Sequence, residues 1–164
     1  MNAKCRRVDN LGLVVIDYLQ LMTSAGGPTR SGDNRQQIVS DISRALKIMA
    51  KELNVPVVCL SQLSRANEGR TDKRPMLSDL RESGAIEQDA DMVLFLDRPA
   101  MYGRTEIDAG RYGTISAEGV GLLHIAKNRE GATGSIVFRH NESMTRIADY
   151  DDPATDAIGD VGPF

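Results

Sequence analysis

The stretch LGLVVID, Leu11 to Asp17, decides the fold, because it is a short apolar run rich in β-branched residues that ends in a carboxylate. Such a run predicts a buried strand. A helical pattern follows from residue 34 or 35 to residue 53, and PVVCLSQ, Pro56 to Gln62, predicts a second strand. Strand, helix and strand together predict a βαβ unit with a parallel pair. Asp17 and Gln62 are therefore expected at the same edge of the sheet, where open α/β sheets bind ligands.

The helix between these strands is predicted from apolar residues that recur at helical spacing and form one face. Asn34 is suited to cap its start, and Pro56 closes the region behind it. The predicted apolar face consists of Ile38, Ile42, Ala45, Leu46, Met49 and Leu53.

Downstream of Gln62 the pattern predicts two loops, a short helix and several strands. ADMVLFLD predicts a third buried strand, and two apolar runs joined by NREGAT predict an antiparallel hairpin. An internal repeat and a second domain are not evident. The expected segments are loops at 23–34 and 63–75, a helix at 85–88, a strand at 90–97, a loop or mobile hairpin at 98–119, hairpin strands at 119–127 and 134–140, a short strand at 145–148, and an acidic disordered tail at 151–164.

Composition excludes several classes of protein. The 164 residues are 41% apolar, which is ordinary for one globular domain, and no run approaches the roughly 20 apolar residues of a membrane span. Cys5 and Cys59 are too few and too far apart for a disulfide framework, so a reducing cytoplasm is expected, and Cys59 is expected to be a buried thiol. The net charge of −3 means that any contact with nucleic acid must be local.

Two polar residues at the predicted strand ends suggest chemistry. A carboxylate at a rigid strand tip, such as Asp17, can hold a water of a Mg²⁺ ion that bridges nucleotide phosphates. An amide at the next tip, Gln62, can hydrogen-bond both a terminal phosphate and a following loop. An ordinary turn aspartate and an ordinary surface amide remain open alternatives at this point.

Two further motifs carry cations. In DLRESGAIEQDAD, residues 79–91, Arg81 and Glu82 precede Gly84, whose backbone can approach another group closely, and an arginine there can pair with a DNA phosphate. In AKNREGATG, residues 126–134, Lys127 and Arg129 project beyond a strand end, where an arginine can stabilise a transferring phosphoryl group. A charged loop and a basic surface turn are the alternatives.

The order of these motifs is more specific than any one of them. DYLQLM, then SQLSR, then DLRESGAIEQDAD, then AKNREGATG resembles the DnaB-type replicative DNA helicases, from about Ala3 to about Tyr150. The resemblance implies an α/β fold: a partial RecA-like (P-loop NTPase) domain, mainly parallel sheet with helices on its faces and a C-terminal antiparallel hairpin. It implies that residues 1–150 are the C-terminal portion of the helicase ATPase domain.

The resemblance also implies roles in nucleotide chemistry, with ATP or another NTP and Mg²⁺ as cofactors. Asp17 would be the Walker B acid that organises Mg²⁺ through water. Gln62 would couple the nucleotide state to the DNA-binding loops. Lys127 and Arg129 would reach the nucleotide of a neighbouring subunit, with Arg129 as the arginine finger.

The implied partners follow from the same family. Arg81, Glu82 and Gly84 would belong to a loop that tracks the single-stranded DNA backbone in a homo-hexameric ring. Primase and a helicase loader would be partners of the full-length protein, which would work in the bacterial cytoplasm with the replisome and nucleoid. Six copies of an arginine-bearing loop can line a pore although each chain is acidic.

The sequence departs from the family pattern at its start. It contains no Gly-rich loop ending in Gly-Lys-Ser/Thr, and the upstream catalytic glutamate has no counterpart. The first residues match the end of the helix that precedes the Walker B strand. The chain alone is therefore expected to hydrolyse no nucleotide, to expose one face or edge of its sheet, and to associate or be marginally stable.

Two other functions stay open on the sequence. The chain could be a non-catalytic module that binds single-stranded DNA or joins a helicase ring. It could also be another RecA-type ATPase, such as a recombinase or a circadian-clock-type ATPase, although the DLRESGAIEQDAD block argues against this class.

Overall fold

The computed structural model describes residues 2–22, 35–64, 69–70, 72–143 and 145–151, with the backbone alone described at 35–36 and 81–83. The predicted loop at 23–34 and the predicted tail from residue 152 onward lie outside the described residues. The chain divides into two compact units, one of Met1–Asp72 with Met76–Asp91 and one of Lys73–Pro75 with Met92–Phe164.

The first unit contains the predicted βαβ arrangement. Strands β1 and β2 pair in parallel, with Val14 opposite Val57 and Ile16 opposite Cys59, and the long helix α2 connects them. Among the described helices, none is both long and apolar enough to cross a membrane. The elements of this unit are α1 Asn2–Cys5, β1 Val14–Ile16, α2 Arg35–Leu53, β2 Val57–Cys59, a 3₁₀ turn at Leu77–Ser83 and α3 Gly84–Asp89.

Helix α2 packs against the β1–β2 pair with the apolar face that was predicted, apart from one residue. Ile42, Leu46 and Met49 are buried against residues of β1 and the turn after it. Ala45 is exposed, so its assignment to the face was wrong. It precedes Leu46 by one residue, which places it about 100° away around the helix axis. Val39 and Ser43 are buried on this face instead.

The second unit is built from antiparallel strands. Its main sheet has the order β3-β6-β7-β8, and β4 and β5 form a separate hairpin within the segment expected to be a loop or hairpin. The predicted hairpin around NREGAT is confirmed as β6 and β7. The elements are β3 Met92–Asp97, β4 Glu106–Asp108, β5 Thr114–Ser116, β6 Val120–Asn128, β7 Gly134–His140 and β8 Ile147–Asp149.

The α/β class is confirmed, with a smaller parallel part than expected. Among the described strands, β1 and β2 form the parallel ladder, and the other four ladders are antiparallel. Strand β3 was predicted as a buried strand, and the structure buries one of its two faces. Val93, Phe95 and Asp97 are buried whereas the residues between them are exposed, which is the alternation of a strand with one covered face.

The β1–β2 pair also has one uncovered face. Val15 and Val58 lie directly opposite each other and are 60% and 47% exposed. Leu13 and Leu60 extend the same apolar surface beyond the strands and are exposed as well. This surface agrees with the expectation that one face of the sheet is open, and contiguous exposed apolar side chains favour association.

We predict that Val15→Thr combined with Val58→Thr reduces self-association of the chain and changes its stability by no more than about 0.5 kcal/mol per site, since both side chains are exposed. Sedimentation velocity and chemical denaturation measure the two effects. The matched control is Ile16→Ala on the buried face, which should cost about 2–5 kcal/mol without lowering association. Unchanged sedimentation of the double variant would contradict the prediction.

Candidate functional site

The parallel pair brings two of the predicted site residues to one edge. Pairing continues past the strands, because the Leu60 amide donates to the Ile16 carbonyl and the Leu19 amide donates to the Leu60 carbonyl, each at 2.9 Å. Asp17 follows β1 directly, and Gln62 follows β2 by three residues. Both are exposed. The expectation that they emerge at the same edge of the sheet is confirmed.

The side-chain amide of Gln20 holds the segment that carries Gln62. Its Nε2 donates to the Ser61 hydroxyl at 3.0 Å and to the Gln62 carbonyl at 3.2 Å. Its Oε1 accepts from the Gln62 backbone amide at 3.2 Å. The backbone of Gln62 is thus bound on both its donor and its acceptor.

The chain beyond Gln62 is tied to the turn that leads to the predicted DNA-binding residues. The Ser64 amide donates to the Asp79 carbonyl at 3.1 Å. Asp79 is 3% exposed, and its Oδ2 accepts from the Arg70 guanidinium at 2.7 Å and from the Met76 amide at 2.9 Å. One buried carboxylate therefore fixes the start of the 3₁₀ turn Leu77–Ser83.

The predicted DNA-binding residues follow Asp79 on this turn. The backbone of Arg81 and Glu82 belongs to the turn, and their side chains lie outside the described residues. Gly84 begins α3, has helical dihedral angles and is exposed. A Cβ at Gly84 would meet no described atom within 4 Å. Packing within the described chain therefore does not require a glycine there.

Lys127 and Arg129 lie in the second unit, at the end of β6 and in the turn after it. Lys127 is half-buried and Arg129 is exposed. The Asn128 side chain organises this turn, since its Oδ1 accepts from the Glu130 amide and its Nδ2 donates to the Ala132 carbonyl, each at 3.4 Å. A Cβ at Gly131 would stand 2.6 Å from Asn128 Nδ2, so a larger residue there would displace the Asn128 side chain from this arrangement.

A partly buried polar cluster in the second unit, with His124 and Asp97 buried and Arg74 and Ser135 exposed, was not anticipated from the sequence. His124 on β6 lies with Nε2 3.4 Å from Asp97 Oδ2 and with Nδ1 2.6 Å from Ser135 Oγ. The Arg74 guanidinium is 3.3 Å from both Nδ1 of His124 and the Ser135 hydroxyl. The cluster joins β3, β6 and β7 three residues before Lys127. A histidine inside the apolar run GLLHIA was the available signal.

Asp17 is suited to a hard divalent cation that keeps most of its water. Its carboxylate is exposed at the end of a paired strand, and oxygen ligands are those that Mg²⁺ prefers. Within the described ranges, no group of three or more His, Cys, Asp or Glu residues could enclose a metal ion. The exposed Asp17 carboxylate thus offers oxygen ligands of the kind that such an ion prefers.

Cys59 is structural rather than reactive in this setting. It is half-buried and packs against the cluster formed by α2 and β1. Burial raises the pKa of its thiol, so the protonated form predominates at neutral pH. The expectation of a buried thiol holds in part, because the side chain keeps some exposure.

Comparisons with known proteins agree with this geometry. Residues 1–149 match the DnaB-like helicase C terminal domain. The chain is 52% identical over 139 residues to the Replicative DNA helicase DnaB of Geobacillus stearothermophilus, covering 83% of this chain and 28% of that protein. It is 47% identical over 159 residues to the Replicative DNA helicase DnaC of Bacillus subtilis, covering 93% of this chain and 32% of that protein. The chain thus spans less than a third of the length of either relative.

Solved structures are similar as well. A DnaB-like replicative helicase, solved in a study of its interactions with primase, superposes with a TM-score of 0.74 at 40% identity, covering 91% of this chain and 34% of that one. A second solved structure, of an ATPase domain, gives a TM-score of 0.74 at 39% identity, covering 91% of this chain and 48% of that one.

We predict that Asp79→Ala destabilises the chain by about 2 kcal/mol, because a buried carboxylate with a charged donor and a backbone donor is removed. Glu52→Ala is the matched control, since Glu52 also accepts from an arginine Nη2, at 3.1 Å, but is exposed. It should cost no more than about 1 kcal/mol. Urea denaturation of both variants measures the difference, and equal losses would contradict a special role for Asp79.

Proposed function

The chain belongs to the DnaB-like helicase C-terminal domain family, and we propose that it serves as the nucleotide-sensing and DNA-contacting part of an ATP-dependent replicative DNA helicase. The observation that carries this proposal is the hydrogen bond from the Ser64 amide to the Asp79 carbonyl, at 3.1 Å, which joins the segment of Gln62 to the turn that carries Arg81. A motor needs such a connection, because nucleotide hydrolysis must change the grip on DNA.

At the nucleotide end, Asp17 would hold Mg²⁺ through water beside ATP or another NTP, and Gln62 would respond to the terminal phosphate. When bound, the ion neutralises charge on the phosphates. The support for this assignment is the shared sheet edge and the exposure of both side chains. The sequence contains no Gly-Lys-Ser/Thr motif, so these residues do not include a phosphate-binding loop of that kind.

At the DNA end, a displacement of Gln62 is transmitted to the DNA-binding turn through Ser64 and Asp79. Gln62 and Ser64 are two residues apart, and Ser64 is bound to Asp79, which precedes Arg81 by two residues. Arg81 pairs with a phosphate of single-stranded DNA, and Glu82 and Gly84 complete the loop. Because phosphate contacts carry no base information, this loop suits a motor that moves along any sequence.

Lys127 and Arg129 act on the nucleotide of the neighbouring subunit in a homo-hexameric ring, with Arg129 as the arginine finger. The support is the position of both cations at a strand end and in a turn that Asn128 and Gly131 organise. An arginine in such a turn can spread positive charge over a transferring phosphoryl group.

The remaining partners are also proposals from the family. Single-stranded DNA is the track, and primase and a helicase loader are partners of the full-length protein. The bacterial relatives support a place in the bacterial cytoplasm with the replisome and nucleoid. The region 1–150 is proposed as the C-terminal portion of the ATPase domain, in line with the matched residues 1–149.

We predict that Arg129→Ala lowers ATP turnover by about 10³–10⁵-fold, the range for arginine fingers. The assay uses a chimera in which this chain replaces the region of the Geobacillus stearothermophilus relative to which it is 52% identical. Arg111→Ala is the control, because Arg111 is an exposed arginine that stacks on Tyr112 at 4.7 Å. It should leave turnover unchanged.

Mixing subunits tests whether Arg129 acts across an interface. Rings of Arg129→Ala subunits and rings of Asp17→Ala subunits should both be inactive. A mixture should regain part of the turnover, because some interfaces then combine an intact Asp17 with an intact Arg129. Mixed rings that stay inactive would contradict action in trans.

We predict that Gly84→Ala weakens binding of single-stranded DNA by about tenfold without destabilising the fold, because the added methyl group meets no described atom but obstructs close approach of a phosphate. Fluorescence anisotropy with the chimera, over a salt series, measures binding. Gly12→Ala is the control, since a Cβ there also meets no described atom. Equal affinities of the Gly84→Ala and Gly12→Ala variants for single-stranded DNA would contradict a role for Gly84 in the DNA contact.

A further inference from the structure

We propose that Gln20 is a positioning residue for Gln62: its side-chain amide acts in place of a strand backbone and sets the direction in which Gln62 leaves the sheet edge. The inference deepens the proposed function and rests on it, since Gln62 is the residue assigned there to sense the nucleotide. Gln20 touches neither nucleotide nor DNA in this assignment and acts through Gln62.

The geometry follows from how a parallel ladder ends. Leu60 donates to Ile16 and accepts from Leu19, each at 2.9 Å, so backbone pairing continues for a short distance past the strands. The chain then turns into a 3₁₀ helix at Leu19–Leu21, and the next backbone groups are no longer aligned with Gln62. A ladder that ended there would leave the Gln62 amide and carbonyl without a strand partner.

The Gln20 amide supplies this partner. A primary amide carries an acceptor oxygen and donor N–H groups on one planar group, as a peptide does. Gln20 uses the oxygen for the Gln62 N–H and the nitrogen for the Gln62 carbonyl, both at 3.2 Å. The third bond, to Ser61 Oγ at 3.0 Å, fixes the rotation of the amide. Binding both backbone groups restrains the dihedral angles of Gln62 and hence the origin of its side chain.

The contribution of Gln20 to stability is expected to be small, whereas its contribution to orientation is large. The Gln62 backbone contacts are exposed, so water can replace them when the amide is removed. A purely structural residue would affect stability first. A positioning residue would affect the response of the motor to nucleotide and DNA while the fold stays intact.

The first test is hydrogen exchange of single backbone amides, by NMR, on the full 164-residue chain and on the chimera. Gln20→Ala should speed exchange of the Gln62 amide by roughly fivefold, the equivalent of one net hydrogen bond of about 1 kcal/mol. The Leu60 amide should be unchanged, because it donates to the Ile16 carbonyl. Gln20→Glu, which keeps the acceptor oxygen, should give an intermediate rate.

The matched control is Gln37→Ala. Gln37 also makes an exposed side-chain hydrogen bond in the first unit, to Asp41 at 3.0 Å, but on helix α2 and not to the segment that carries Gln62. Its substitution should leave the Gln62 exchange rate unchanged.

The second test measures catalysis by the chimera. Gln20→Ala should lower the DNA-stimulated kcat by about tenfold or more while the KM for ATP changes less than about twofold, because the sensor is displaced and the nucleotide-binding groups are not. Gln37→Ala should change neither constant. Gln20→Glu should recover part of the lost kcat.

Each outcome decides a separate point. Unchanged Gln62 exchange in Gln20→Ala overturns the pairing. Faster exchange with unchanged kcat overturns the positioning role and leaves Gln20 as a structural residue. A chimera without ATP hydrolysis when Gln20 is intact overturns the proposed function and the sensing role that rests on it, while the exchange data still decide whether the pairing exists.

Discussion

The parallel pairing of β1 with β2 is the constraint on which the site depends. Two parallel strands must end at the same edge, and the bond from the Leu60 amide to the Ile16 carbonyl sets the register at that edge. A shift of β2 by one residue would turn Val57 and Cys59 away from the apolar cluster that they pack against. The burial of one apolar face therefore also decides where Asp17 and Gln62 emerge. The packing of the core thus determines the placement of these polar residues.

Most elements could be predicted from the sequence because their signals are local. In helix α2, apolar residues recur at helical spacing over a long stretch. The β6–β7 hairpin has two runs rich in β-branched residues around a turn that contains glycine. The error at Ala45 has a local cause too. Ala45 is apolar and lies next to the buried face of α2, so it fits the apolar spacing although its side chain is exposed. Strand β3 was harder, because its buried Asp97 sits at an inward position and its outward positions are apolar. Hydrophobicity alone therefore predicted a buried strand and did not show that one of its faces is exposed.

The contacts that organise the site could not be predicted, because they join residues far apart in sequence. Gln20 meets Ser61 across 41 positions, and Arg74 meets His124 across 50. Asp79 was visible as part of a family block, but its burial and its bond to Arg70 depend on the folded path of the loop. The sequence indicated which residues carry charge or an amide, and the fold determined which of these residues hold others in place.

The two units divide the chemistry in a way that suits a ring of identical subunits. The first unit carries Asp17, Gln62 and the turn proposed to contact DNA, and the bond from the Ser64 amide to the Asp79 carbonyl joins the segment of Gln62 to this turn. The second carries Lys127 and Arg129 on a hairpin whose turn is held by Asn128 and Gly131. A cation that stabilises the transition state on a neighbouring subunit's nucleotide should be held rigidly by its own turn. Motion of the turn would change the distance from the cation to the developing charge and so weaken its stabilisation. A sensor, by contrast, should be held by few and exchangeable bonds. The exposed amide contacts at Gln62 and the turn that the Asn128 side chain organises beside Arg129 suit the two roles proposed for these residues. An acidic chain can meet both requirements, because each needs only one well-placed side chain.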